Sequence, residues 1–81
     1  MTIDLAPLNI KLIVRSFAPH MEREFSDVES RLMHLGFFEG EEIRITKKAP
    51  LFQEPFLVEV RGRMVALTKD EARLVQVEVK P

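Results

Sequence analysis

Cysteine is absent from the 81 residues, so the chain has neither a disulfide framework nor a thiolate metal site, and a reducing, cytoplasmic setting fits it. Tyrosine is absent as well. Ser16, Ser26 and Ser30 lack the glycine elbow that would expose a nucleophilic hydroxyl, and the carboxylates cluster on an exposed helix rather than in a cleft. These features argue against an enzyme. No apolar run approaches the roughly 20 residues that span a bilayer, and no signal peptide precedes the first element. Nor is one sign of charge in excess: the formal net charge is −1, which offers no overall field to nucleic acid or to an anionic membrane. Histidine is scarce, and His20 and His34 fall in no compact ligand pattern. The expectation is no built-in metal and no cofactor, with weak surface binding of a divalent cation to an acidic patch left open.

What is present is a globular composition, 46% hydrophobic and 31% charged, of a size for one domain over residues 1–81. The organising stretch is Arg31–Gly40. Gly36 suits the C′ position of a helix, where a left-handed backbone is needed, and Phe37 or Phe38 would fold back onto the helix end. Gly40 then turns the chain into the alternation that begins at Glu42. Charge is unevenly spread. Glu22, Glu24, Asp27, Glu29, Glu39, Glu41 and Glu42 face only Arg23 and Arg31, whereas Arg44, Lys47 and Lys48 follow as a basic run.

In chain order, Leu5 and Leu8 are expected to anchor a segment broken by Pro7 and Asn9. Lys11–Phe17 is β-branched and short, a strand. Ser26-Asp27-Val28-Glu29 has the form of a capping box, and Phe25, Val28, Leu32 and Leu35 make one apolar stripe; the helix is placed at Ser26–Leu35, or begun a turn earlier near Met21. Glu42–Lys48 is a strand with Ile43 and Ile45 inward and Arg44, Thr46 and Lys48 outward. Residues 49–55 are a proline-bounded loop carrying Leu51 and Phe52. Phe56–Arg61 and Met64–Thr68 form a hairpin about Gly62. Thr68–Arg73 reads as a capped helical or 3₁₀ turn, with Glu71 closing the cap. Leu74–Val79 ends the chain with Val75, Val77 and Val79 on one face. The plan is mostly β (α+β): a small SH3-like five-stranded barrel with one α-helix after the first strand and a short 3₁₀ or helical turn before the last. First and last strands are expected to pair, since an unpaired valine-rich edge invites association; a homo-oligomer stays open.

Single-strand nucleic-acid binding wants aromatic platforms with basic flanks. Phe17, Phe25 and Phe56 read as core, and the charge balance opposes phosphate contact, so the expectation is no nucleic acid. Protein–protein binding remains, through Leu51, Phe52 and Phe38.

Arg31-Leu32-x-x-Leu35-Gly36-Phe37-x-x-Gly40, the Ile43/Ile45 strand, Ala49-Pro50-Leu51, Val60-Arg61-Gly62, Ala66-Leu67 and Glu71-Ala72 before a valine-rich last strand resemble FeoA over about two-thirds of the chain. The sequence departs from the family pattern in the loop, where Phe52-Gln53-Glu54-Pro55 replaces a Gly-Asp-Pro. It departs again at Asn9-Ile10-Lys11, where an early glycine is missing, and in a longer segment from Phe17 to Phe25. The resemblance implies a cytoplasmic accessory of ferrous iron uptake that binds the transporter FeoB at its G-protein region and meets the membrane only through it. Partner-binding residues on that reading are Leu51, Phe52, Phe38, Arg44, Lys47 and Lys48, acting by apolar insertion or charge steering. The alternatives are a metal-sensing regulatory domain using His20 or His34, and a small nucleic-acid-binding barrel.

Overall fold

In a computed structural model of the protein, residues 1–18, 24–48 (helix side chains from Asp27 onward) and 55–81 are described. The elements run as a 3₁₀ turn (Ile3–Leu5), β1 (Leu12–Phe17), α1 (Glu24–His34), β2 (Glu42–Lys48), β3 (Phe56–Val60), β4 (Arg63–Leu67), α2 (Lys69–Ala72) and β5 (Val75–Val79). The five strands form one antiparallel sheet ordered β4-β3-β2-β1-β5. It is barrel-like without full closure, the expected SH3-like plan. First and last strands do pair, with Val14 opposite Val77 and Phe17 opposite Val75. Inside lie Leu12, Val14, Ile43, Ile45, Val58, Val60, Val75 and Val77, plugged by Phe37 and Phe56.

Two bulges set the side-chain phase. In β1 the register shifts between Val14 and Ser16. An extra residue flips the alternation, so Phe17 rather than Ser16 shares the face of Leu12 and Val14. In β2 the shift falls between Ile45 and Lys47, and Lys48 pairs with the buried Phe56. Strict alternation put Lys48 outward; the bulge at Thr46 overturns that and turns Lys48 toward the core side. Its ammonium donates to the carbonyls of Asp4 (3.0 Å) and Ala6 (2.8 Å) and sits 5.8 Å from the Phe56 ring centroid.

Further expectations are corrected. Leu5 and Leu8 are exposed, and Ile3 and Ala6 anchor the first segment instead, because the 3₁₀ turn points those two side chains inward. Val79 does share the face of Val75 and Val77, opposite Leu12, but at the end of β5 it is 52% exposed. The helix has begun by Glu24, so Ser26 lies inside it and is no N-cap. The hairpin strands start and stop a residue away from expectation because its turn holds only Arg61 and Gly62. Both have positive φ (52° and 77°), the backbone of the type I′ connection that suits strand twist.

Candidate functional site

The exit of α1 is fixed by backbone bonds. Phe37 N–H donates to Leu32 O (3.1 Å) and Gly36 N–H to Met33 O (3.0 Å), with Gly36 at φ 111°. This is the paired bonding of a Schellman stop, and Leu32 and Phe37, the two positions that commonly make its apolar contact, are both fully buried. Phe37 therefore folds back into the core, and Phe38 is left 39% exposed. A tight turn follows, in which Glu41 N–H donates to Phe38 O (2.9 Å) and Gly40 holds φ 87°. The turn is strapped to β1, for Gly40 N–H donates to Val14 O (2.7 Å) and Val14 N–H to Glu41 O (2.9 Å).

Onto this turn leans the β3–β4 hairpin tip. The Arg61 guanidinium lies 5.4 Å from the Phe38 ring centroid and reaches Glu41 Oε2 at 3.2 Å. Arg61 also lines an open hollow of about 250 Å³, together with Glu41, Glu42, Arg44 and Glu59. Arg44 stands directly across from Glu59, an opposite-charge cross-strand pair. Glu42 accepts from Lys80 Nζ at 2.6 Å. That hydrogen bond holds its carboxyl below the usual glutamate range, outweighing partial desolvation, with help from the charges of Lys80, Lys11 and Arg44.

Of the expected partner-binding residues, Phe38 and Arg44 are thus brought around Arg61. Lys47 is exposed on β2 without an ion-pair partner among the described residues. Lys48 is turned away and engaged by backbone carbonyls. Leu51 and Phe52 lie outside the described residues. Sequence reasoning missed Arg61 and Glu41. Their signal was faint: an arginine at the first central position of a two-residue turn, and an acidic residue just past Gly40. Among the described residues no group of three or more His, Asp or Glu side chains is placed to hold a metal ion, and no helix is long and apolar enough to cross a membrane.

Residues 1–79 match the family model described as FeoA domain. No curated protein matches the chain. Among solved structures, the fold is similar to the zinc-complexed FeoA of Stenotrophomonas maltophilia, a procaryotic SH3 domain protein, with 36% identity over 96% of this chain and 89% of that one, at a TM-score of 0.81. Iron(II) transport protein A of Clostridium thermocellum shares 29% identity over 98% of this chain and 45% of that one, with the same TM-score of 0.81. The manganese-activated repressor ScaR, at 21% identity over 99% of this chain and 35% of its own length (TM-score 0.79), shares the fold alone. With the ladder, the helix stop and the match over nearly its whole length in agreement, the chain belongs to the FeoA family, SH3-like proteins associated with ferrous iron transport.

Proposed function

We propose that this protein is a non-catalytic accessory of bacterial ferrous iron uptake that acts in the cytoplasm by binding the FeoB transporter at its G-protein region and modulating transport. Membership of the FeoA family supports the setting. The observation that carries the binding role is Phe38, an aromatic held partly exposed on a rigid turn beneath the Arg61 guanidinium. Aromatic and arginine side chains on a preorganised surface are the residue types that dominate binding energy at interfaces. Arg44 lines the hollow beside Arg61, and Lys47 lies farther along β2; both would supply steering charge. Leu51 and Phe52, in the segment between β2 and β3, would add apolar surface to the interaction.

An amide chemical-shift titration of the labelled protein with the cytoplasmic domain of its FeoB tests the reading. Saturable shifts at Phe38, Arg44, Lys47 and Arg61 are expected. Phe38→Ala should weaken binding by about 1–3 kcal/mol, the range of a truncated aromatic anchor, with the spectrum otherwise unchanged. A Leu51→Asp, Phe52→Asp double variant should abolish binding while remaining folded. Full affinity in both variants would overturn this surface.

A further inference from the structure

The two edges of the sheet are treated differently. Along β5 the chain's own beginning covers the outer edge: Val77 N–H donates to Met1 O at 2.8 Å, and Thr2 bridges Gln76. Along β4 no backbone partner lies on the outer side among the described residues. The hydrogen-bonding sense of that edge can be read from the hairpin. Val60 and Arg63 close the two-residue turn, and Leu57 lies opposite Ala66. The Leu57 carbonyl accepts from the Thr46 hydroxyl of β2 at 3.2 Å, so it points away from β4. Leu57 and Ala66 are therefore a non-hydrogen-bonded pair, and so by alternation are Glu59 and Met64. The amides and carbonyls of Met64 and Ala66 consequently point outward from the sheet.

Two open hollows follow this edge and share Ala66. One, of about 300 Å³, lies between α1 and β4 and is lined by Arg31, Leu35, Arg63, Met64 and Val65. The other, of about 290 Å³, is lined by Pro55, Leu67 and Thr68. An added strand needs this combination of edge amides for its backbone and alternating pockets for its side chains. The charge in the first hollow is of one sign. Arg31 is shared with Glu71 of α2 and Arg63 has no ion-pair partner among the described residues; no carboxylate lines either hollow. A second copy of the chain would bring to the seam another β4, Arg63-Met64-Val65-Ala66-Leu67, with cationic and apolar side chains and no acid. We infer that the β4 edge is a docking site for an extended, acidic segment of another protein, which adds as a sixth strand beside α1. The inference rests on the edge geometry and stands apart from the Phe38 surface.

The test uses the full chain, labelled for amide spectra, and two peptides: acetyl-Ser-Glu-Val-Glu-Val-Glu-Ser-amide and its counterpart with lysine at each glutamate. Saturable shifts and slowed hydrogen exchange at Met64 and Ala66 are expected with the acidic peptide alone. Arg63→Glu should weaken the acidic peptide by about tenfold or more and admit the lysine peptide. Ala66→Pro removes an outward donor without touching the β3 ladder, so it should abolish binding while the remaining spectrum persists. If Ala66→Pro does not fold, the charge swap decides alone. Absence of saturable binding, shifts centred on Phe38 instead, or equal response to both peptides would overturn the proposal. Concentration-dependent shifts at Met64 and Ala66 without peptide would also overturn it, by making a second copy the occupant.

Discussion

A Cβ on Gly36 would sit 2.8 Å from Val60 Cγ1, and the residue already holds φ 111°. Both the backbone and the space are therefore set for glycine, and Gly36→Ala is expected to destabilise by roughly 1–3 kcal/mol from backbone strain alone, more if Val60 cannot shift. Thermal unfolding followed by circular dichroism reads this as a loss on the order of 4–8 °C per kcal/mol for a domain of this size. Lys48 makes the opposite kind of case. Its ammonium satisfies two carbonyls that water would otherwise have to reach, so Lys48→Met should lower stability by about 1–3 kcal/mol and speed exchange at the first residues of the chain. An unchanged denaturation midpoint would show that water serves those carbonyls equally well. The glycine was legible in the sequence because its cause is local: a polar helix end, one glycine, then an aromatic. Lys48 was not, because its direction depends on a bulge at Thr46, and Ile-Arg-Ile-Thr-Lys-Lys alternates just as well without one. Phe38 was legible only as one of two candidates. The Schellman bonding selects Phe37 for the core by its place in the turn, a choice that composition cannot make between identical side chains.

At the scale of elements, the same Ser/Thr-x-x-Glu pattern occurs twice with different outcomes. At Thr68 it is a true capping box: Glu71 N–H donates to the Thr68 hydroxyl (3.1 Å), and Thr68 N–H donates to Glu71 Oε1 (2.8 Å). At Ser26 the helix is already under way, since Glu24 and Phe25 precede it within α1. A cap motif reports a start only when nothing upstream is helical, and that depends on residues outside the motif. Glu71 has a second task, for its other oxygen pairs with Arg31 of α1. One carboxylate thus starts α2 and ties it to α1. Glu71→Ala should cost about 1–2 kcal/mol, mostly from the lost cap. Arg31→Ala should cost less, within the roughly 0–1 kcal/mol of an exposed ion pair. Chemical denaturation of the two variants and their combination gives the comparison; an Arg31→Ala loss equal to that of Glu71→Ala would place the stabilisation in the ion pair instead.

For the whole molecule, Lys80 and Glu42 join the end of the chain to the start of β2 across β1, reinforced by Lys80 N–H donating to Lys11 O at 3.0 Å. Glu42 titrates below its ordinary range in the folded state. The stabilisation this provides is therefore present above that ordinary range and is lost as pH falls through the lowered value. Lys80→Ala should raise the Glu42 carboxyl toward its ordinary value in a carbon-detected titration and flatten the acid side of the stability profile. Since the carboxylate is solvent-exposed, the effect should also fade with added salt; a Glu42 titration unmoved by Lys80→Ala would remove the pairing as its cause. The pairing of the first and last strands was foreseen because a small sheet with valine-rich ends has few ways to hide them. The unequal treatment of its two edges was not, because it depends on where Met1 and Thr2 come to rest.

The place of β1 between β2 and β5 has a consequence for how the chain is made. Its ladder to β2 is short, Leu12 opposite Ile43 and Ile13 opposite Glu42, while its long ladder is to the last strand. During synthesis, β1 gains most of its backbone partners only after β5 has been made. Completion of the sheet therefore waits until β5 has been made. A chain truncated before Val75 should hold the β2–β3–β4 ladder at most, with β1 held only by its short ladder to β2 and still open to proteases and chaperones.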